Sequence, residues 1–158
     1  MTQEDFTAGW FDGSTQSNNQ LSGSGGVLGI NDHIVYKWTF NCGPGTNTRD
    51  EFLGVWETLT LATQFHMLYL QAFGNSRIII DWLNHKWKLQ VISLDCWKDK
   101  IRDLSKAFSK IIFTHIFKYF NKEEDILSKK AFHMQAGKIV YNQWEEGNED
   151  PTLFLNLY

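Results

Sequence analysis

Cysteine is scarce in this chain, with two among 158 residues. Cys42 and Cys96 stand far apart with no partner at metal-ligand spacing, which fits reduced thiols in an intracellular protein and excludes a disulfide framework or a zinc site. Proline is equally rare, also two, and an aromatic share of 15% excludes a disordered or low-complexity chain. Positive charge is not in excess. Lys and Arg number 15 against 18 Asp and Glu, for a net charge of −3, so any contact with a polyanion has to come from a local basic patch. No apolar run approaches the roughly 20 residues that cross a bilayer. The first residues lack both the basic start and the apolar stretch of a secretory leader. Neither secretion nor membrane insertion is expected, and the expected location is intracellular, nuclear or cytoplasmic. What is present is 42% hydrophobic content including seven Trp, enough for one sizeable core in one domain.

Hydrophobic periodicity orders the elements. Residues 7–13, 22–30 and 33–41 read as extended segments separated by short polar turns, so a hairpin or meander opens the fold. Gly43-Pro44-Gly45 breaks the chain. From Thr48 a helix follows whose Phe52, Val55, Trp56, Leu59 and Ala62 recur at three and four residues. Residues 67–73 are short and apolar enough for a buried fourth strand, and Gly74-Asn75-Ser76 turns it into a second helix reaching about 84, anchored by Ile78, Ile79 and Leu83. A third helix over 91–108 carries Leu94, Trp97, Ile101, Leu104 and Phe108 at helical spacing. Residues 110–116 form a fifth strand, and Asn121 caps a last helix to about 135, which Gly137 ends. The pattern predicts an α/β domain over 1–136 with a five-stranded mixed sheet: three antiparallel N-terminal strands, then two added through helix crossovers. Residues 137–158 read as a C-terminal tail or extension.

Three acids fall at the ends of these elements, and each has an ordinary explanation by itself. Asp12 ends a strand before the turn-forming Gly13. Thr48-Arg49-Asp50-Glu51 reads as a capping box in which Glu51 reaches back to the helix start. Asp125 lies near a helix N-terminus, where the macrodipole favours acids. In order, however, Phe11-Asp12-Gly13-Ser14, Thr48-Arg49-Asp50-Glu51-Phe52, Gly74-Asn75-Ser76, and the stretch from His115 to Asp125 resemble the successive motifs of type 1 ribonuclease H domains, similar to those of plant retroelements. The resemblance covers about residues 7–135.

That resemblance implies a ribonuclease H-like fold and endonucleolytic hydrolysis of RNA in RNA/DNA hybrids by a two-metal-ion mechanism with Mg²⁺, for which Mn²⁺ substitutes. Hard divalent cations take oxygen ligands, and two of them close together need several carboxylates to offset their charge. By resemblance Asp12 bridges both ions, Glu51 holds one and senses an RNA 2′-hydroxyl, and Asp125 completes the shell of the other. His115, ten residues before Asp125, matches a loop histidine thought to help product leave. The fourth metal station, Asn75, carries an amide where the family has Asp. An amide offers one neutral oxygen and a repelling NH₂, so metal occupancy and cutting should fall while fold and groove survive. Such an amide arises by natural loss of activity or by a deliberate substitution that traps substrate. Asp81, about six residues along the next helix, is expected to point elsewhere rather than compensate.

Discriminating a hybrid from either pure duplex requires reading 2′-hydroxyls and groove shape. Ser14, Thr15, Asn18, Asn47 and Thr48 resemble the family's minor-groove contacts, and Ser76 and Arg77 follow the Asn75 station. Asn84-His85-Lys86-Trp87-Lys88 mixes cations with an aromatic and reads as a solvated loop or a grip on the DNA backbone. Gly23-Ser24-Gly25-Gly26 is not a phosphate loop, because a strand follows it and no helix with Gly-Lys-Ser. Its glycines are expected to admit a close neighbour. Three functions are carried forward: an impaired nuclease, a non-catalytic module that binds hybrid or another nucleic acid, and a scaffold keeping only the fold. The partner expected is an RNA/DNA hybrid, with the chain a monomer that belongs, by resemblance, to a larger retroelement polyprotein.

Overall fold

The computed structural model of the chain describes residues 7–85 except 19 and 32, residues 94–145, and the backbone of 148–149 and 153–156. β1 (Thr7–Gln16), β2 (Leu21–Gly29) and β3 (Ile34–Asn41) pair antiparallel in succession. Helix α1 (Asn47–Gln64) crosses to β4 (Tyr69–Gly74), which lies parallel to β1. Helices α2 (Arg77–Leu83) and α3 (Asp95–Ser105) lead to β5 (Lys110–His115), parallel to β4. A 3-10 turn at Lys118–Asn121 enters α4 (Lys122–Lys130), which passes into a second such turn at Ala131–His133, short of the expected end at 135. The expected start of the third helix at 91–93 and the loop residues Lys86 to Lys88 lie outside the described residues.

The chief departure from expectation follows Gly137, whose φ of 82° turns the chain back. β6 (Lys138–Glu145) pairs antiparallel with β3 from Ile34↔Glu145 to Phe40↔Ile139, and β7 (Asn148–Glu149) and β8 (Leu153–Asn156) share the outer edge of β6. The five expected strands are all present, and the described part of the expected tail adds three more, giving the order β5-β4-β1-β2-β3-β6-β7 with β8 on β6. The physical reason is the edge of β3: without β6, its backbone groups would stand unpaired beside buried Trp38 and Phe40. Ile139 and Tyr141, two apart, point into the core, as strand alternation requires.

The two faces of the sheet carry different helices. On one, Phe52, Val55, Leu59 and Ala62 of α1 are buried against Phe11, Leu28, Leu70 and Ala72, and α3 backs α1 through a Trp56–Trp97 edge contact at 5.7 Å. Each fully buried side chain of this size contributes about 1.5–3 kcal/mol of transfer free energy. Ile79 and Leu83 anchor α2 as expected, but Ile78 is exposed. On the other face lies α4, drawn tight by glycine. A Cβ on Gly23 would meet Ser128 O at 2.1 Å and one on Gly25 would meet Ser128 N at 2.4 Å, so the expectation of a close neighbour holds. Cys42 is buried and Cys96 exposed, and both are free thiols.

Candidate active site

Strand alternation decides which way each residue of β1 points. Gly13 faces α1, since a Cβ there would meet Glu51 N at 2.6 Å, and Asp12 and Ser14 therefore face α4. The β1–β4 register ends at Trp10↔Phe73, so no β4 residue pairs with Asp12. At that break Glu51, from the α1 side, comes within hydrogen-bonding reach of Asp12 on the opposite side. Asn75, just past the end of β4, and Asp125, in the first turn of α4, join them around one polar hollow of about 270 Å³.

Asp12 and Glu51 are buried, each 2% exposed, and each keeps one oxygen, Asp12 Oδ2 and Glu51 Oε2, buried without a partner. The other Asp12 oxygen accepts the Gly13 amide at 2.9 Å. Burial lifts the Asp12 carboxyl to about 6, against the Glu51 and Gly13 hydrogen bonds. Burial, then the Asp12 charge, lifts Glu51 well above the usual carboxylate range. In so dry a place the charge of Asp12 strengthens the hold of Glu51 on a proton, and a cation bound between the two acids would act in the opposite sense.

The capping-box reading of Glu51 is overturned. Thr46 is the N-cap, accepting Arg49 N at 3.2 Å, so the helix starts earlier than expected and Glu51 falls beyond the capping position. Nor does Asn121 cap α4 with its side chain. Its Nδ2 donates instead to Phe11 O at 2.8 Å and to Asn75 Oδ1 at 2.7 Å. The Phe11 carbonyl can only accept, which fixes the Asn121 amide and makes oxygen the Asn75 atom that faces it. Asn75 thus gives its one ligand-grade oxygen to a neighbour.

Asp125 is held differently. Lys129 Nζ donates to its Oδ2 at 2.8 Å, and Ser14 Oγ to its Oδ1 at 3.3 Å. Burial would raise its carboxyl, but Lys129, Lys118 and Ser14 outweigh it and hold the group below its ordinary range. Both lysines line the hollow.

Of the expected nucleic-acid contacts, Ser14, Thr15 and Asn47 line the hollow, although Ser14 Oγ is 2.6 Å from Ser128 Oγ and the Thr15 hydroxyl donates to Asp50 Oδ2 at 2.7 Å. Asn18 sits exposed at the β1–β2 turn with φ 52°. Thr48 stands in the first turn of α1, Ser76 precedes α2, Arg77 begins it, and His115 ends β5 against the Phe117 ring at 5.8 Å. None of these five lines the hollow, and neither does Asp81.

Do these residues fit two Mg²⁺ ions? The Asp12–Glu51 side fits one: two carboxylates that line a polar hollow, each with a buried oxygen lacking a hydrogen-bond partner, are what a hard cation takes. The second position fits poorly, since Asn75 is engaged by Asn121 and Asp125 by Lys129 and Ser14. Among the described residues, no three His, Cys, Asp or Glu side chains gather as an ion-holding group. Lys118 and Lys129 are not among the site residues that the sequence suggests, and Asn121, expected as a helix cap, belongs to the site instead. The i, i+4 spacing of Asp125 and Lys129 was a visible signal, whereas Lys118 and Asn121 reach the hollow only through the 3-10 turn.

Residues 10–131 match the family model described as reverse transcriptase-like. No curated protein matches the chain. Among solved structures, ribonuclease H1 from the halophilic archaeon Halobacterium salinarum NRC-1 is 23% identical with a TM-score of 0.74, over 80% of this chain and 96% of that one. The N-terminal ribonuclease H domain of Rv2228c from Mycobacterium tuberculosis, a fusion with maltose binding protein, is 19% identical with a TM-score of 0.75, over 80% and 93%. LC11-RNase H1, solved with an RNA/DNA hybrid, is 21% identical with a TM-score of 0.70, over 80% and 96%. At such identities the structures speak for the fold, which is ribonuclease H-like, while the family match spans most of the sequence: this chain belongs to the reverse transcriptase-like family.

Proposed function

We propose that this domain binds RNA/DNA hybrids across the Asp12–Glu51 hollow and, with an amide at position 75, hydrolyses the RNA strand weakly or not at all. The observation that carries this reading is the meeting of Asp12, Glu51, Asn75 and Asp125, from four separate elements, around one polar hollow with two unpartnered carboxylate oxygens. Asp12 Oδ2 and Glu51 Oε2 are the atoms that would hold Mg²⁺ or Mn²⁺. A divalent ion there supplies charge neutralisation at phosphate and a more acidic water. Asp12 and Glu51 orient the reacting phosphate's surroundings and exclude bulk water by their burial. Lys118 and Lys129 bring positive charge to the same hollow and would meet a phosphate oxygen directly. Asn47 and Thr15 on the rim offer polar atoms to the sugar edge of a hybrid.

Position 75 is suited to a carboxylate, since Asn121 Nδ2 donates to it and an Asp oxygen accepts that bond equally well. Asn75→Asp is therefore expected to create Mg²⁺-dependent cleavage of the RNA in a hybrid, read on a denaturing gel. If the folded, hybrid-binding variant leaves hybrid intact with both Mg²⁺ and Mn²⁺, the nuclease reading fails. A second reading, hybrid binding without cleavage, is favoured by the two lysines in the hollow, which offset the acids as a second cation would. Hybrid affinity unchanged by Mg²⁺, with no cleavage from either variant, supports that alternative.

A further inference from the structure

Between β5 and α4 the chain runs His115-Ile116-Phe117-Lys118-Tyr119-Phe120-Asn121-Lys122. Phe117, Tyr119 and Phe120 are 71%, 69% and 67% exposed, among the most exposed large apolar side chains described. Tyr119 and Phe120 stand edge to face at 5.3 Å, the Lys122 ammonium sits 4.0 Å from the Tyr119 ring, and the Phe117 ring meets His115 edge to face at 5.8 Å. Lys118, between Phe117 and Tyr119 in sequence, lines the hollow, so this exposed turn and the hollow share a residue. Nothing in the folding of the domain requires three exposed rings here, since the buried residue of this turn is Asn121.

We infer that Phe117, Tyr119 and Phe120 form a stacking platform for unpaired nucleotides flanking the hybrid. The inference rests on the nucleic-acid reading above and extends it to substrate shape. A flat ring needs the face of a base, and a duplex hides its base faces inside the stack. Unpaired nucleotides expose them, and stacking on aromatic rings is indifferent to sequence. The interleaved cations point the same way: Lys118 lines the hollow and Lys122 sits against the Tyr119 ring, which offers positive charge to the phosphates of a strand stacked on the rings. A protein partner or a second copy of this chain is the poorer fit, because closing an apolar interface here would bury two lysines, a residue type depleted from interface cores.

The test is fluorescence anisotropy in EDTA, which removes cleavage, with three labelled probes: a blunt RNA/DNA hybrid, the same hybrid extended by about six unpaired nucleotides, and the free single strand. The extension is expected to tighten binding about ten-fold or more. The variant Phe117→Ser/Tyr119→Ser/Phe120→Ser should lose that gain while binding blunt hybrid within about two-fold of the parent, and the milder Phe117→Leu/Phe120→Leu variant should lose part of it. Blunt and extended hybrids bound equally by the parent chain would overturn the platform and leave the hybrid reading standing. So would a triple variant that keeps the preference, or a parent dimer in sedimentation that the triple variant abolishes. Ring-dependent binding of the free strand with no affinity for hybrid would uphold the platform and remove the hybrid reading. No affinity for any probe would overturn both.

Discussion

Single residues set the charge of the hollow, and Lys129 is the sharpest case. Its ammonium occupies one oxygen of Asp125, so it competes with any cation that Asp125 would help to hold. Lys129→Met should therefore tighten Mn²⁺ binding several-fold in isothermal titration calorimetry, since the released carboxylate keeps its charge and loses its partner. Unchanged affinity would show that Asp125 takes no part in cation binding. The three acids and the amide at 75 are legible in the sequence because motif order carries them: Asp12, Glu51, Asn75 and Asp125 all reach the hollow. What those side chains touch was not legible. Glu51 reads locally as a helix cap and Asn121 as another, because both stand near helix starts rich in polar residues. In the fold each turns away from the helix end to a partner distant in sequence. Long-range pairing of this kind leaves no periodic trace.

Elements place the acids to within the reach of a hydrogen bond, and the contact of α4 with β2 does so without side chains. Gly25→Ala would drive a methyl to within 2.4 Å of Ser128 N, which only a shift of α4 can relieve. The expected cost is about 1–3 kcal/mol in urea denaturation. Because Asp125 and Ser128 ride on the same helix, cleavage by an Asn75→Asp background should fall further than stability alone explains. A neutral Gly25→Ala would mean that α4 is free to move. Glycine at these positions signals a close neighbour in the sequence, while the identity of that neighbour, Ser128, depends on the fold. The edge element was missed: Ile139 and Tyr141 alternate inward in only a short apolar run, and the flanking Glu145, Glu146 and Glu149 resemble a solvated tail until β3 supplies the pairing surface.

At the scale of the whole molecule, the last long strand is tied to the first helix by a buried pair: the Tyr141 hydroxyl donates to Glu57 Oε1. Burial lifts the Glu57 carboxyl to about 7 despite that bond, and burial with the Glu57 charge lifts the Tyr141 hydroxyl above its ordinary value. A carboxyl raised on folding holds its proton in the native state after the unfolded chain has lost it. Its stabilisation is fully present below the ordinary value of 4.5, falls as pH rises, and is gone above about 7. At about 1.4 kcal/mol per pH unit, the loss across that window is on the order of 3 kcal/mol. Glu57→Gln should remove roughly 2 kcal/mol of the fall between pH 5 and pH 7 in urea melts; an unchanged slope would place the titration elsewhere. The early stop of β4 has a wider consequence for how this architecture can change. Asp12 and Glu51 come from opposite sides of a wall and meet only because the wall has a notch. Two further rungs of β1–β4 pairing would carry β4 alongside Asp12, closing the notch and parting the two acids without altering either of them, so the length of a strand, which no catalogue of reactive residues records, sets whether these side chains can meet.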